Sequence, residues 1–348
     1  MAKSRQITIK DVAARSGVAI STVSRVINDR GLVSPETRER VRKAAHELGY
    51  VRNSMAASMK SGNSNMIVVI IPDLVNDFFS AVVQGVEEAV SAYGYSTLFF
   101  TTGESPEKEK KFFMGELGNL VDGAILIPAI DDFNFYHNLR MPVVLVDRTL
   151  GSLDSVVINN YRGSFLATEE LLRAGHRKIA IINGDRGRDF TICTNRMDGY
   201  LAAMQQYHAP VNDAYVLYGP WYQESGYELT RQLMELPDPP TAIFAANNQI
   251  SIGCINYLIE HGIQIGRDIS LVAFDDSLLA RTITPKVTVI ERPTIEMGRL
   301  AGQILMENLR GEAPSGQRGN MMDAKLIRRN SVAYPSAEGT SQGGKEVR

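Results

Sequence analysis

From residue 66 onward, short runs of β-branched residues alternate with segments of helical spacing. The first series has strand-like runs at 67–71, 96–100, 124–127 and 143–146, and a second series begins near Asn159. Strands that alternate with helices indicate parallel sheets with helices on both faces. The sequence therefore predicts an α/β body made of two doubly wound parallel-sheet lobes with a cleft between them.

Charge is distributed unevenly between the beginning of the chain and the rest. Residues 1–62 contain twelve Lys and Arg against five Asp and Glu, a balance of +7. Because the 348-residue chain has a formal net charge of −2, the remaining residues carry −9. This asymmetry predicts a small basic module that binds a polyanion, joined to an acidic body, although a solvated basic face would have the same composition.

The spacing of apolar residues predicts three short helices in the first fifty residues. The first begins at Thr8 and ends at Gly17, and the third begins with Ser34 and Pro35. The second turns Val23 inward, and its outer face carries Ile20, Ser21, Ser24, Arg25 and Asn28. Short side chains and one arginine suit a recognition helix in the DNA major groove. A generic three-helix bundle would show the same spacing.

The motifs DVA, SGV, TVSRVIN, VSPETR and LGY follow one another in this small all-α segment. With them the segment resembles the DNA-binding domain of the lactose-repressor/galactose-repressor family of bacterial transcription regulators. The resemblance implies a helix-turn-helix domain over residues 1–52. It also implies that the residues which read bases are Ile20, Ser21 and Arg25, and that those near phosphates are Thr8, Thr22, Ser24 and Asn28.

Residues 53–65 lie where this family has a hinge helix and a linker. By the resemblance, the hinge begins at Asn53, folds only on specific DNA and inserts Met59 into the minor groove. Family members mostly carry Leu at the position of Met59 and Pro at that of Arg52. The alternative is that Met59 is an ordinary exposed linker residue.

Candidate ligand-binding residues follow the strands of both lobes. Ligands of open α/β sheets bind outside the carboxyl ends of the strands. The candidates there are Asp73, Phe78, Phe79, Asp147, Arg148, Arg196, Trp221, Asn247 and Asp275. Aromatic rings and planar polar groups suit a sugar or similar polyol. Alternatively, Phe79 belongs to the core, Asp275 or Asp276 caps the next helix, and Asp147 with Arg148 forms an inter-lobe salt bridge.

The resemblance continues to about Tyr334 through VDGAILIP, PVVLVDR, GHRKIAIINGD and ISLVAFDD. It implies a periplasmic-binding-protein-like effector and dimerisation domain over 66–334, with three crossings between the lobes. The first lobe would comprise about 66–160 and 292–321, and the second about 161–291 and 322–334. It places the effector contacts on Phe78, Asp147, Arg196, Trp221, Asn247 and Asp275.

The last segment, residues 335–348, has no apolar spacing and is predicted to be disordered. Because it lacks Leu heptads, a homodimer is expected rather than a tetramer held by a C-terminal coil. Two heads on a two-fold dimer would read a pseudo-palindromic operator.

The sequence therefore predicts a DNA-binding transcription regulator, a repressor, controlled allosterically by a small-molecule effector, most simply a sugar. We expect no cofactor and no metal, because Cys193 and Cys254 lie 61 residues apart without metal-ligand spacing around them. No apolar run approaches a membrane span and no secretory leader precedes the head, so a cytoplasmic protein is expected.

Three other functions share parts of this pattern. An enzyme on a doubly wound fold is disfavoured because GxSxG, GxxxxGK[ST] and HExxH are all missing. A sugar-binding protein of a transport system would share the body but needs neither the basic head nor a cytosolic location. A regulator controlled by a protein corepressor instead of a metabolite differs only in its partner.

Overall fold

A computed structural model describes residues 7–27, 29, 31–50, 63–184, 191–312, 316 and 319–334. The chain divides into two units, Met1–Ser64 and Asn65–Arg348, and each is described by itself. The predicted tail at 335–348 lies outside the described residues.

The first unit contains three helices, α1 (Ile9–Ser16), α2 (Ile20–Ile27) and α3 (Pro35–Glu47). A glycine in the left-handed conformation, Gly17 with φ 67°, ends α1, as the sequence predicts. The Ser34 hydroxyl accepts a hydrogen bond from the Thr37 backbone N–H at 3.3 Å and so caps α3. The three helices enclose one small core: Val12, Ala13, Val23, Val26, Val41, Ala44 and Ala45.

The first lobe of the second unit is built on a six-stranded sheet. In chain order its strands are β1 (Met66–Ile71), β2 (Ser96–Thr101), β3 (Gly123–Leu126), β4 (Val143–Val146), β5 (Asp154–Ile158) and β11 (Gly319–Met322). They are all parallel, in the spatial order β11-β5-β4-β3-β1-β2. The helices of this lobe are α4 (Asp77–Ser91), α5 (Pro106–Met114), α6 (Phe133–His137) and α12 (Thr294–Arg310). Apolar clusters cover both faces of the sheet, as a parallel sheet requires.

The second lobe repeats this arrangement. Its strands are β6 (Ile179–Gly184), β7 (Val216–Gly219), β8 (Ala242–Ala245), β9 (Ser270–Phe274), β10 (Thr288–Glu291) and β12 (Lys325–Ile327). The spatial order is β12-β10-β9-β8-β6-β7, and only β12 is antiparallel to its neighbour. The helices are α7 (Asn160–Arg173), α8 (Ile192–Gln206), α9 (Gln223–Met234), α10 (Asn248–Glu260) and α11 (Leu278–Thr282).

The chain crosses between the lobes three times, after β5, after β10 and after β11. The second crossing returns α12 to the first lobe, where α12 packs closely on α4. A Cβ added at Gly85 would lie 1.9 Å from the Ile295 carbonyl oxygen, and one at Gly298 would lie 2.1 Å from that of Val82. Glycine at both positions therefore permits this approach. Strand β11 extends to Met322, one residue beyond the predicted end of the first lobe.

Over the described ranges, no helix combines the length and the apolar character needed to cross a membrane. Within the same ranges, no three His, Cys, Asp or Glu side chains are grouped so that they could hold a metal ion. Cys193 and Cys254 are both buried.

Candidate functional site

Helix α2 presents the face that the sequence predicts for reading DNA. Ser21 and Arg25 are exposed and Ile20 is 46% exposed, whereas Val23 on the opposite side is fully buried. Thr22 and Ser24 are half-buried at the edge of this face. Arg25 forms no ion pair with any described residue. The exposed guanidinium lies on the side of α2 that the sequence predicts to meet a base edge or a phosphate.

Thr8 lies at the N-terminus of α1 and is exposed, but its hydroxyl is already in use. The hydroxyl donates to Asp11 Oδ2 at 2.7 Å, and the Thr8 backbone N–H donates to the same oxygen at 2.8 Å. A phosphate contact through the Thr8 hydroxyl proton would require the first bond to break. Asn28, Asn53 and Met59, the other predicted DNA contacts, lie outside the described residues.

The second unit contains a cavity of about 730 Å³ between its two lobes. This volume is within the range of small-molecule sites. Eight of the nine predicted effector residues line it: Asp73, Phe78, Phe79, Asp147, Arg148, Arg196, Trp221 and Asn247. The ninth, Asp275, is not part of the lining, but its carboxylate oxygens accept hydrogen bonds from Arg292, which is part of it.

Local backbone hydrogen bonds orient the polar residues at the strand ends. Asp73, just after β1, accepts from the N–H groups of Val75 at 2.9 Å and Asn76 at 2.8 Å. Asn247, just after β8, caps α10 and accepts from the Gln249 N–H at 2.7 Å. Both side chains are thus held by turns that the strand ends themselves form.

Arg196 is the most deeply buried charged group of the cavity, with 2% of its surface exposed. Its Nε donates to Asn160 Oδ1 at 2.9 Å and its Nη1 donates to the Ala246 carbonyl. The guanidinium lies 3.9 Å from the ring centroid of Phe274 and 5.6 Å from that of Trp221. Burial, together with repulsion from Arg292, lowers the pKa of Arg196 to about 10.

Arg292, which the sequence analysis did not select, lines the cavity and joins two of the predicted residues. It binds Asp275 through two bonds, from Nε at 2.5 Å and from Nη2 at 2.7 Å, and it donates from Nη1 to Asp147 at 2.9 Å. Although burial alone would lower the pKa of Arg292, attraction to Asp275 and Asp147 raises it. The side chain therefore stays cationic while buried.

These contacts decide between the alternatives that the sequence left open. Asp147 pairs with Arg292 and not with Arg148; Arg148 instead donates to Glu104 at 3.0 Å and to the Pro128 carbonyl at 2.5 Å. The predicted pairing of Asp147 with Arg148 is therefore wrong, whereas Asp147 does form an inter-lobe salt bridge, with Arg292 as its partner. The cap of α11 is Ser277, so neither Asp275 nor Asp276 serves that purpose.

Sequence reasoning missed several other residues of the lining: Glu104, Ile192, Tyr222, Gln223, Glu224, Gln249 and Arg292. Arg292 follows β10 directly, just as Asp147 follows β4. The rule that ligands bind beyond strand ends could therefore have found Arg292 had it been applied to β10. The same rule covers Tyr222, which lies in the loop after β7, whereas Gln223 and Glu224 lie on α9 and follow no strand directly.

Two models of known families match the chain. Residues 8–53 match the bacterial regulatory proteins of the lacI family, and residues 168–332 match the periplasmic binding protein-like domain. The HTH-type transcriptional repressor CytR of Escherichia coli K12 is 32% identical over 332 residues, which cover 93% of this chain and 96% of the relative. The chain belongs to the lacI family. This confirms the resemblance inferred from the sequence.

Other members of the lacI family agree along nearly their whole length. The regulator DegA of Bacillus subtilis 168 is 32% identical, with 94% of this chain and 98% of DegA covered. The lac repressor dimer bound to operator and the anti-inducer ONPF superimposes with a TM-score of 0.81 at 25% identity, covering 94% and 100%. A complex of the regulator CelR with cellobiose gives 0.70 at 29% identity, covering 93% and 99%. The predicted fold class is thus confirmed.

Proposed function

We propose that the protein is a repressor that binds a pseudo-palindromic operator as a homodimer. Its affinity for the operator falls or rises when a small molecule binds in the cavity. It acts in the cytoplasm, where its DNA is found, and it catalyses no reaction. The observation that carries this proposal is the cavity itself: both lobes contribute polar side chains to it, so a ligand there bears on how the lobes are arranged.

The charges of the cavity favour an uncharged effector. The two buried arginines, Arg196 and Arg292, are balanced by Asp147 and Asp275, and Arg148 is balanced by Glu104. A ligand therefore does not need to bring a charge to compensate the buried groups. The exposed carboxylate of Glu224 in the lining adds negative charge that would oppose a phosphate.

The aromatic residues of the lining favour a sugar or a sugar derivative. Trp221 and Tyr222 come from adjacent positions after β7, and ring faces of this kind pack on the C–H face of a sugar. Amide groups at Asn247 and Gln249 can pair with ring hydroxyls. The CelR complex, whose ligand is cellobiose, supports this choice. A planar nucleobase is the second choice for the same aromatic surface.

The expected mechanism is allosteric coupling between the cavity and the DNA-binding head. An effector that prefers one lobe arrangement shifts the dimer toward it, and such coupling is typically worth about 1–3 kcal/mol. The lac repressor dimer on its operator supports a two-fold assembly, in which two heads read half-sites about 34–36 Å apart. Phosphate contacts by the basic head would set the register, and α2 would choose the sequence.

The test is a titration of the full-length protein on DNA from the region upstream of its own gene, at fixed salt. The titration is run with and without a panel of sugars, sugar phosphates and nucleobases. We expect specific binding that one uncharged compound changes by about 5- to 150-fold. Specific binding altered only by a purified cellular protein would replace the small molecule by a corepressor. If the protein bound no DNA fragment more tightly than random DNA, the proposal that it is a DNA-binding regulator would be contradicted.

A turnover assay on the compound identified in that titration checks the absence of catalysis. We expect the compound to be recovered unchanged after long incubation with the protein. Conversion that scales with protein concentration would instead favour an enzyme on this fold.

A further inference from the structure

One guanidinium, that of Arg292, bonds carboxylates from both lobes. Arg292 and Asp275 follow β10 and β9, which are neighbours in the sheet of the second lobe. Asp147 follows β4 in the sheet of the first lobe. Two of the three hydrogen bonds of Arg292 therefore lie within its own lobe, and the third, to Asp147, connects the lobes.

The two carboxylates occupy equivalent and firmly held positions. Asp147 and Asp275 both adopt the left-handed conformation, with φ 66° and 76°. Each donates its backbone N–H to the adjacent strand, Asp147 to Val156 at 2.9 Å and Asp275 to Ile290 at 2.8 Å. Left-handed backbone is uncommon for residues with side chains, so the surrounding strands hold both residues in place. The carboxylates consequently meet Arg292 as parts of two rigid sheets.

The packing around Arg292 leaves its side chain little freedom. Its guanidinium lies 3.5 Å from the ring centroid of Phe78 in the first lobe, and only 3% of the side chain is exposed. Two other polar contacts cross the cleft nearby: Asn248 donates to Asn76 at 2.7 Å, and the Leu278 N–H donates to Asp77 at 3.3 Å. The contact between Arg292 and Asp147 pairs a buried charge with a partly buried one, so screening by water weakens it little.

We propose that Arg292 is a positioning residue that holds the two lobes together through Asp147. We call the set of hydrogen bonds among Asp147, Arg292 and Asp275 the Arg292 bridge. This bridge connects the two lobes through a side chain of the protein, as a bound effector would connect them through its own polar groups. An effector that bonds Asp147 must share or displace this contact. The link from lobe arrangement to DNA affinity rests on the proposed function, whereas the bridge itself does not.

Trp221 offers a direct readout, because it is the only tryptophan of the chain and it lines the cavity. The test measures acrylamide quenching of its fluorescence in the full-length, effector-free protein. Arg292→Gln removes the bridge, and we expect the quenching constant to rise at least twofold as the lobes separate. Asp147→Asn, which keeps its size and removes only the inter-lobe partner, should give a similar rise, and the double variant should add little to it.

Arg329→Gln is the matched control. Arg329 also forms a two-bond pair with a carboxylate, Asp276, at 2.7 and 2.8 Å, but both residues belong to the second lobe and lie outside the cavity lining. This variant should leave the quenching constant at the wild-type value. A thermal unfolding curve for every variant shows whether the protein is folded under the conditions of the quenching measurement. If Arg292→Gln does not fold, the result for Asp147→Asn alone tests the proposal.

Wild-type quenching in a folded Asp147→Asn variant would overturn the proposal, whatever the protein binds. Operator affinity, measured in the same effector-free samples, separates this failure from that of the proposed function. We expect a change of at least fivefold for Arg292→Gln and Asp147→Asn and none for Arg329→Gln. Raised quenching with unchanged operator affinity would keep the Arg292 bridge and contradict the link between lobe arrangement and DNA binding.

Discussion

The two candidate sites hold their arginines in opposite ways. On α2, Arg25 is exposed and forms no ion pair with any described residue, and it belongs to a face that one helix supplies by itself. In the cavity, Arg196 is 2% exposed and is fixed by Asn160, Ala246 and the ring of Phe274. The contrast indicates that residues of the DNA-reading face contribute little to the stability of their domain, whereas residues of the cavity contribute to both binding and stability.

This difference follows from what each site has to recognise. DNA is larger than the head, so a surface helix can reach it without burying any of its own polar groups first. A small molecule is enclosed by the cavity, so the polar groups that bind it lose water before the ligand arrives and need partners within the protein. Substitutions should therefore affect binding alone in the head, but binding and stability together in the cavity.

Among the substitutions predicted for the two sites, Arg196→Ala should lower the free energy of unfolding the most. It removes the donors that satisfy Asn160 and Ala246 and leaves a hole beside Phe274, so we expect the free energy of unfolding to fall by about 3 kcal/mol. Denaturant unfolding of the second unit measures this loss. Below its unfolding transition the variant should still bind operator but no longer respond to effector.

Arg173→Ala provides the control for that loss. Arg173 pairs with Glu169 at 3.1 Å with 55% of its side chain exposed, and an exposed pair of this kind contributes little to stability. A loss of operator binding together with the effector response in folded Arg196→Ala would reassign Arg196 to a structural role. A change in stability no larger than that of Arg173→Ala would remove the contrast between the two sites.

Arg25→Ala should have an intermediate effect, and only on DNA binding. An arginine that reads a base edge contributes about 1–3 kcal/mol at the specific site and little on random DNA. Because Arg25 is exposed, the free energy of unfolding should stay within about 0.5 kcal/mol of the wild type. Titrations on the operator and on a scrambled fragment at the same salt measure the difference.

Arg40→Ala, which removes a charge that is also exposed, from α3, is the matched variant for Arg25. It should weaken binding to the two DNA fragments to the same extent, if at all. An equal loss on both fragments for Arg25→Ala would make Arg25 a phosphate contact. The base-reading role would then pass to Ile20 and Ser21.

The sequence predicts which residues face outward on α2 better than it predicts how the residues of the cavity pair, for a physical reason. The outward face of α2 depends on spacing within eight residues, and the residues selected there from spacing and resemblance are exposed or half-buried where the structure describes them. The cavity depends on pairs far apart in the chain. Asp147 meets Arg292 across 145 residues, and no local pattern announces such a pair.

Asp275 shows the limit of assigning a role by position. The strand-end rule and the resemblance both place it at the cleft, and it is indeed beside the cavity. Both of its carboxylate oxygens are bonded to Arg292, however, and Asp275 is not part of the lining. Its direction depends on Arg292, a partner at the end of the neighbouring strand β10, and a position beyond a strand end does not by itself predict that pairing.

His176 is a partly buried residue away from both candidate sites, and its substitution should have the smallest effect, a change in the pH dependence of stability. It lies where the strands of the second lobe begin, at the end of the sheet opposite the cavity, and its ring nitrogens contact the hydroxyls of Thr241 at 2.9 Å and Ser270 at 2.8 Å. Burial lowers the pKa of His176 below its usual value of 6.5, although an interaction with the Ala333 backbone acts in the opposite direction. The folded protein therefore favours the neutral ring.

The sign of the pH dependence follows from that shift. The unfolded chain binds the His176 proton more readily than the folded protein, so this residue stabilises the fold above about pH 6.5 and loses its contribution as the pH falls below that value. Denaturant unfolding of wild type and His176→Gln at pH 7.5 and 5.5 isolates the effect, because the other titrating groups cancel in the difference. The wild type should lose more stability than the variant, while the effector response of both stays the same. An identical pH dependence of the two proteins would mean that His176 titrates as an ordinary exposed histidine. An altered effector response would mean that this end of the sheet is coupled to the cavity. An unaltered response would show that a partly buried residue can affect stability without affecting function.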